Sequence, residues 1–160
     1  MEIVGRADQP WDALFIFHYF AEGSSANLPE MLQNLIAREM NAGLEFGRPV
    51  KAKNKASSME VLGCFLEQHE CTSLLSTWNQ PESDDYWMCY IPNHGIATIQ
   101  DGELDWWALI CFYCSNAGIS GRSARVDSPN VPNRSLPEGA LLEKELTALL
   151  PPRTFPVREM

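Results

Sequence analysis

The chain has 160 residues, 45% hydrophobic, with a formal net charge of −9; this suits one folded domain that can bury roughly 70% of its unfolded surface without disulfide or metal support. Its acidity disfavours nucleic acid and anionic membrane surfaces, which are bound through Lys and Arg, and no apolar run approaches the ~20 residues a spanning helix needs. The charge is uneven: residues 81–107 carry six acids (Glu82, Asp84, Asp85, Asp101, Glu103 and Asp105) and no base, which favours a basic protein partner through opposite fields.

In chain order, Ala13 to Ala21 is short and apolar. The residues before it carry Glu2, Asp8 and Asp12 against Arg6, the wrong sign for a secretory leader. Residues 13–20, aromatic and β-branched, predict a buried strand. Asn27 then predicts an N-cap, with Pro29 and Glu30 in the first turn. Leu28, Met31, Leu32, Leu35, Ile36 and Met40 repeat at three and four, the face of a helix closed by Gly43.

"EFGRPV" (45–50) predicts a short edge strand and "KAKNKAS" (51–57) a basic turn. Ser57-x-x-Glu60 has the form of a capping box, and Met59, Leu62, Phe65, Leu66 and His69 fall on one helical stripe. "CTSLLSTW" (71–78) predicts a further turn or short helix before the loop "NQPESDD".

An all-β section follows. Asp85 to Ile91 predicts one strand, Pro92 to Gly95 a turn, and Ile96 to Gln100 a second strand. Asp101-Gly102 is a two-residue hairpin signal, and Glu103 to Cys114 predicts a third strand. Such a turn pairs Gln100 with Glu103, Ile99 with Leu104, Thr98 with Asp105, Ala97 with Trp106, and Ile96 with Trp107. Alternation then sets Ile99, Leu104, Ala97 and Trp106 on an apolar face. Gln100, Glu103, Thr98, Asp105 and Trp107 fall on the other.

Residues 115–135 are rich in Gly, Ser, Asn, Arg and Pro and predict a long flexible loop. Ser135-x-x-Glu138 has the form of a capping box leading into a helix through Leu150, and residues 151–160 predict a tail. The expected fold is α+β: one domain over residues 1–150, a mainly antiparallel sheet of about four to five strands, and about three helices, most on one face.

Five cysteines, at 64, 71, 89, 111 and 114, are odd in number and scattered, which predicts a reducing, cytoplasmic setting. Cys111-Phe-Tyr-Cys114 could be a dithiol, a metal clip or part of a buried strand. The sequence after it, "SNAGISG", is a poor helix start, which favours the strand; there the two thiols would face opposite ways. Zinc would have to recruit Cys64, His69, Cys71 and His94, without finger-like spacing. Cys71 with His94 or His18 is the best nucleophile–base set on offer, and no local signature supports it. Gly118 to Arg125 could wrap a phosphate but lacks the Lys-Ser/Thr ending and the helix of a P-loop. No cofactor, metal or catalytic set is therefore expected.

The strongest constellation is the acidic window with its aromatics, Tyr86, Trp87, Tyr90, Trp106 and Trp107, since Trp and Tyr are the usual interface anchors. The expected protein-binding set is Asp84, Asp85, Tyr86, Trp87, Thr98, Gln100, Asp101, Glu103, Asp105 and Trp107. It predicts a non-enzymatic acidic binding module, of the inhibitor or immunity kind, that neutralises a basic toxin or enzyme. The rival expectation is a small cysteine-dependent enzyme, hydrolase or thiol-redox. The plainer alternative for Trp107 is that a helix covers it while the carboxylates only keep the turn soluble.

Overall fold

In the computed structural model, residues 13–20, 28–54, 59–81, 92–121, 134–137 and 139–151 are described. The elements run β1 (Ala13–Phe20), α1 (Leu28–Ala42), β2 (Val50–Lys53), β3 (Glu60–Leu66), α2 (Gln68–Trp78), β4 (His94–Gln100), β5 (Glu103–Cys111), β6 (Asn116–Gly121), β7 (Arg134–Ser135) and α3 (Leu141–Leu149). All strands join one sheet in the order β2-β3-β1-β4-β5-β6-β7, and every neighbouring pair is antiparallel. The α+β class is as expected, and so are three helices among the described residues. The sheet they contain is larger: six strands of four or more residues and a two-residue seventh.

Helices cover both faces, so the molecule has three layers. On one face α1 packs Leu28, Leu32, Leu35 and Ile36 over Phe15, Phe17 and Tyr19 of β1, with Val61 and Phe65 of β3. On the other, α2 and α3 pack Leu74, Leu75, Trp78, Leu142 and Leu146 over Leu14, Ile16, Ile96, Trp106, Ile110 and Ile119. This sandwiching explains β1: its side chains alternate between two cores, so Ala13 to Tyr19 is buried throughout. Of the apolar stripe predicted for α1, only Met40, near its C-terminal end, is exposed.

Three expectations are corrected, two of them by the same sandwiching. Residues 60–66, expected as a helix, form β3, where Val61 to Leu66 is buried. When both faces are buried every position is apolar, and a helical stripe can be picked out of it by chance. Gly63 marks the strand: a Cβ there would lie 2.1 Å from the Ile16 carbonyl oxygen of β1. The edge strand lies later than expected, at Val50–Lys53 within the basic turn; Phe46 makes only a single parallel bridge, to Phe65. Residues 116–121, expected in a flexible loop, form β6, whose Ala117 and Ile119 enter the α2–α3 core.

Helix α2 begins at a capping box, with the Glu67 backbone N–H donating to Glu70 Oε1 at 3.1 Å. Helix α3 starts at Leu141, six positions after Ser135, because Ser135 pairs with Asn116 in the sheet and Gly139 takes a left-handed φ of 85°. The predicted strand 85–91, Asn27, Ser57, Glu138 and the tail beyond Pro151 lie outside the described residues.

Candidate functional site

The acidic hairpin is built from its turn outward. Asp101 and Gly102 have φ of 56° and 75°, both positive, as a type I′ turn requires. Gln100 pairs with Glu103 and Ile99 with Leu104, the register predicted from the sequence. The tip leaves Asp101 and Glu103 exposed and Gln100 half-buried. Its root is fixed by α1: Gln33 Oε1 accepts the Leu104 backbone N–H at 2.9 Å. Glu30, exposed in the first turn of α1, lies three residues before Gln33 and so on the same side of the helix. Sequence reasoning missed Gln33, since its place beside the hairpin depends on how α1 crosses the sheet.

Below the tip the predicted register fails. A bulge opens between Ile99 and Ala97, after which Ala97 pairs with Trp107 and Ile96 with Ala108. Thr98 fills it: its hydroxyl accepts the Trp106 backbone N–H and donates to the Trp106 carbonyl, both at 3.1 Å. The extra residue exchanges the two indoles between faces. Trp106 turns into the α2–α3 core, stacked on Trp78 with ring centroids 6.3 Å apart. Trp107 turns onto the face of Ile99, Leu104 and Ala97 and packs, half-buried, against the α1-side core. Thr98 and Asp105 are buried, 1% and 5% exposed.

Of the ten residues singled out, Gln100, Asp101 and Glu103 thus form the reachable tip. Thr98, Asp105 and Trp107 support it from inside, and Asp84, Asp85, Tyr86 and Trp87 lie outside the described residues. The indole expected on the carboxylate face is packed on the α1 side.

The other candidate groups fall in separate places. Cys64, Cys71 and Cys111 are buried thiols outside any disulfide. Cys64 donates to the Leu149 carbonyl at 3.3 Å and Cys71 to the Leu66 carbonyl at 3.5 Å. Burial, with a smaller contribution from Glu70, pushes the Cys64 thiol from an ordinary 9.0 up to about 11, the reverse of an activated nucleophile. Burial also raises the Tyr19 phenol, with Cys111 adding to the effect. His18, 5% exposed, donates from Nε2 to the Pro151 carbonyl at 3.0 Å and lies 5.0 Å, ring to ring, from His94. His69 is exposed on α2. Among the described residues no group of three His, Cys, Asp or Glu could hold a metal ion.

The Cys-x-x-Cys is split by the end of β5. Cys111 is its last residue, and Cys114 lies in the turn that follows, its backbone N–H 3.2 Å from Cys111 Sγ. Cys114 is disulfide-bonded. Gly118 to Gly121 are residues of β6 rather than a phosphate-wrapping loop, and Arg122 and Arg125 lie outside the described residues. Among the described residues no helix is long and apolar enough to cross a membrane. No family model matches this chain, nor does any curated protein or solved structure.

Proposed function

We propose that this chain is a non-enzymatic binding module whose acidic β4–β5 hairpin docks on a basic protein, as an inhibitor that neutralises a toxin or enzyme would. One observation carries the reading: Asp101 and Glu103 stand exposed on a type I′ turn whose root is bonded to α1, inside a sequence window of six acids and no base. A short hairpin held at its root presents its carboxylates with little ordering cost on docking. Opposite fields speed encounter with a cationic surface. Glu30 of α1 extends the acidic surface, and Asp84, Asp85, Tyr86 and Trp87 belong to the same acidic window in sequence. The buried Thr98 and Asp105 and the half-buried Trp107 hold the tip rather than touch the partner.

The test is a charge reversal. Wild type and Asp101→Lys/Glu103→Lys, with matching circular dichroism and melting, are immobilised and compared for capture of basic proteins at low and high salt. The wild type should retain a basic partner that salt weakens and the variant should not. Equal capture by the two proteins would remove the hairpin from the interface.

A further inference from the structure

On its α1-side face, β6 is polar and small. Asn116, Gly118 and Ser120 alternate with Ala117 and Ile119, which face the α2–α3 core. All three are nevertheless buried, Ser120 with no exposed surface. Ser120 is the direct cross-strand partner of Trp107, so the two side chains stand side by side on one face. Trp107 Nε1 and Ser120 Oγ are both shielded from solvent; among the described residues neither has a hydrogen-bond partner, nor do they bond to each other.

We infer that an ordered internal water occupies the space between Trp107 and Ser120, accepting the indole N–H and exchanging a hydrogen bond with the serine hydroxyl. An indole N–H only donates, while a hydroxyl both donates and accepts; a water bridges that pair with correct polarity on each side. Buried polar groups are rarely left unbonded, and internal waters occur where polar groups converge with room for one molecule. The neighbouring position on this face of β6 is Gly118, which adds no side chain beside the pair. An apolar occupant would leave both groups unsatisfied, at a cost in stability.

Ser120→Ala makes the sign of one measurement decisive. If a water bridges the pair, alanine removes one of its anchors, so the melting temperature falls, and Trp107→Phe, which deletes the other anchor, lowers it again by less in the Ser120→Ala background than alone. If the hydroxyl is buried without a bond, alanine relieves it and the melting temperature rises. A second readout is independent of stability. In the wild type, the Trp107 indole proton shows a nuclear Overhauser contact to a long-lived water, and Ser120→Ala weakens or abolishes it. Absence of that contact in the wild type, or a rise in melting temperature on Ser120→Ala, overturns the inference.

Discussion

The tip and the stem of the β4–β5 hairpin obey different rules. At the tip, turn chemistry decides: two positive-φ residues close a type I′ turn and fix the pairs Gln100–Glu103 and Ile99–Leu104. In the stem, two pairs further on, tertiary structure decides: the Thr98 hydroxyl bonds both backbone groups of Trp106, β5 gains a residue, and the two indoles change faces. A local signal therefore holds for about one pleat beyond the turn. After that, register belongs to the layers above and below. The tip thus keeps its charges in water, while the stem packs the aromatic expected to accompany them, half-buried, against the α1-side core.

The largest effect should come from breaking the stem. Gly121 sits beside the bulge with φ of 120°, and a Cβ there would lie 2.3 Å from the Asp105 carbonyl oxygen and 2.5 Å from Trp106 Cα. Gly121→Ala combines backbone strain with a backbone clash, so it should cost more than about 3 kcal/mol in urea unfolding. Next is Thr98→Val, nearly isosteric, which strips the Trp106 N–H and C=O of their shared partner. It should cost about 1–3 kcal/mol, whereas Thr98→Ser should recover most of that. A Thr98→Val protein as stable as wild type would mean that the apolar layers alone set the shifted register.

The same division separates what could be read in the sequence from what could not. Helix α1 was legible because one face is buried, so its 3.6-residue period survives in Leu28, Leu32, Leu35 and Ile36. Strand β3 was not, because it is buried on both faces and lost its period altogether. Strand β6 passed for a loop because its α1-side positions are Asn, Gly and Ser, a composition that signals turns unless a neighbouring layer covers it. The bulge was invisible because it depends on one hydroxyl reaching sideways into a backbone. At the candidate site, the charge of Asp101 and Glu103 was legible from composition. The fate of Trp107 and the contribution of Gln33 required knowing where α1 lies.

A smaller effect is expected at the turn. Gly102 has φ of 75°, and a Cβ there would meet nothing within 4 Å. Gly102→Ala pays only the left-handed backbone penalty, about 1 kcal/mol, with no clash. Comparing it with Gly121→Ala by urea unfolding isolates the clash, since both glycines carry positive φ and only one is enclosed. Equal losses at the two positions would mean that the stem yields as readily as the tip.

The smallest effect sharpens the contrast most. Asp101 and Asp105 are four residues apart on one hairpin; the first is exposed and the second only 5% exposed. Asp101→Asn removes a solvated charge from a window with no base, so any change should be a slight gain from relieved repulsion, within about 0.5 kcal/mol. Asp105→Asn makes the same chemical change to a buried carboxylate, which is tolerated in a folded interior only when its oxygens are bonded, and should lower the urea midpoint clearly. Functionally the order should invert. Asp101→Asn should weaken salt-sensitive capture of a basic partner in a protein that melts normally. Asp105→Asn should impair capture only in proportion to its loss of folded protein. If Asp105→Asn abolished capture at full stability, the stem itself would be the binding surface.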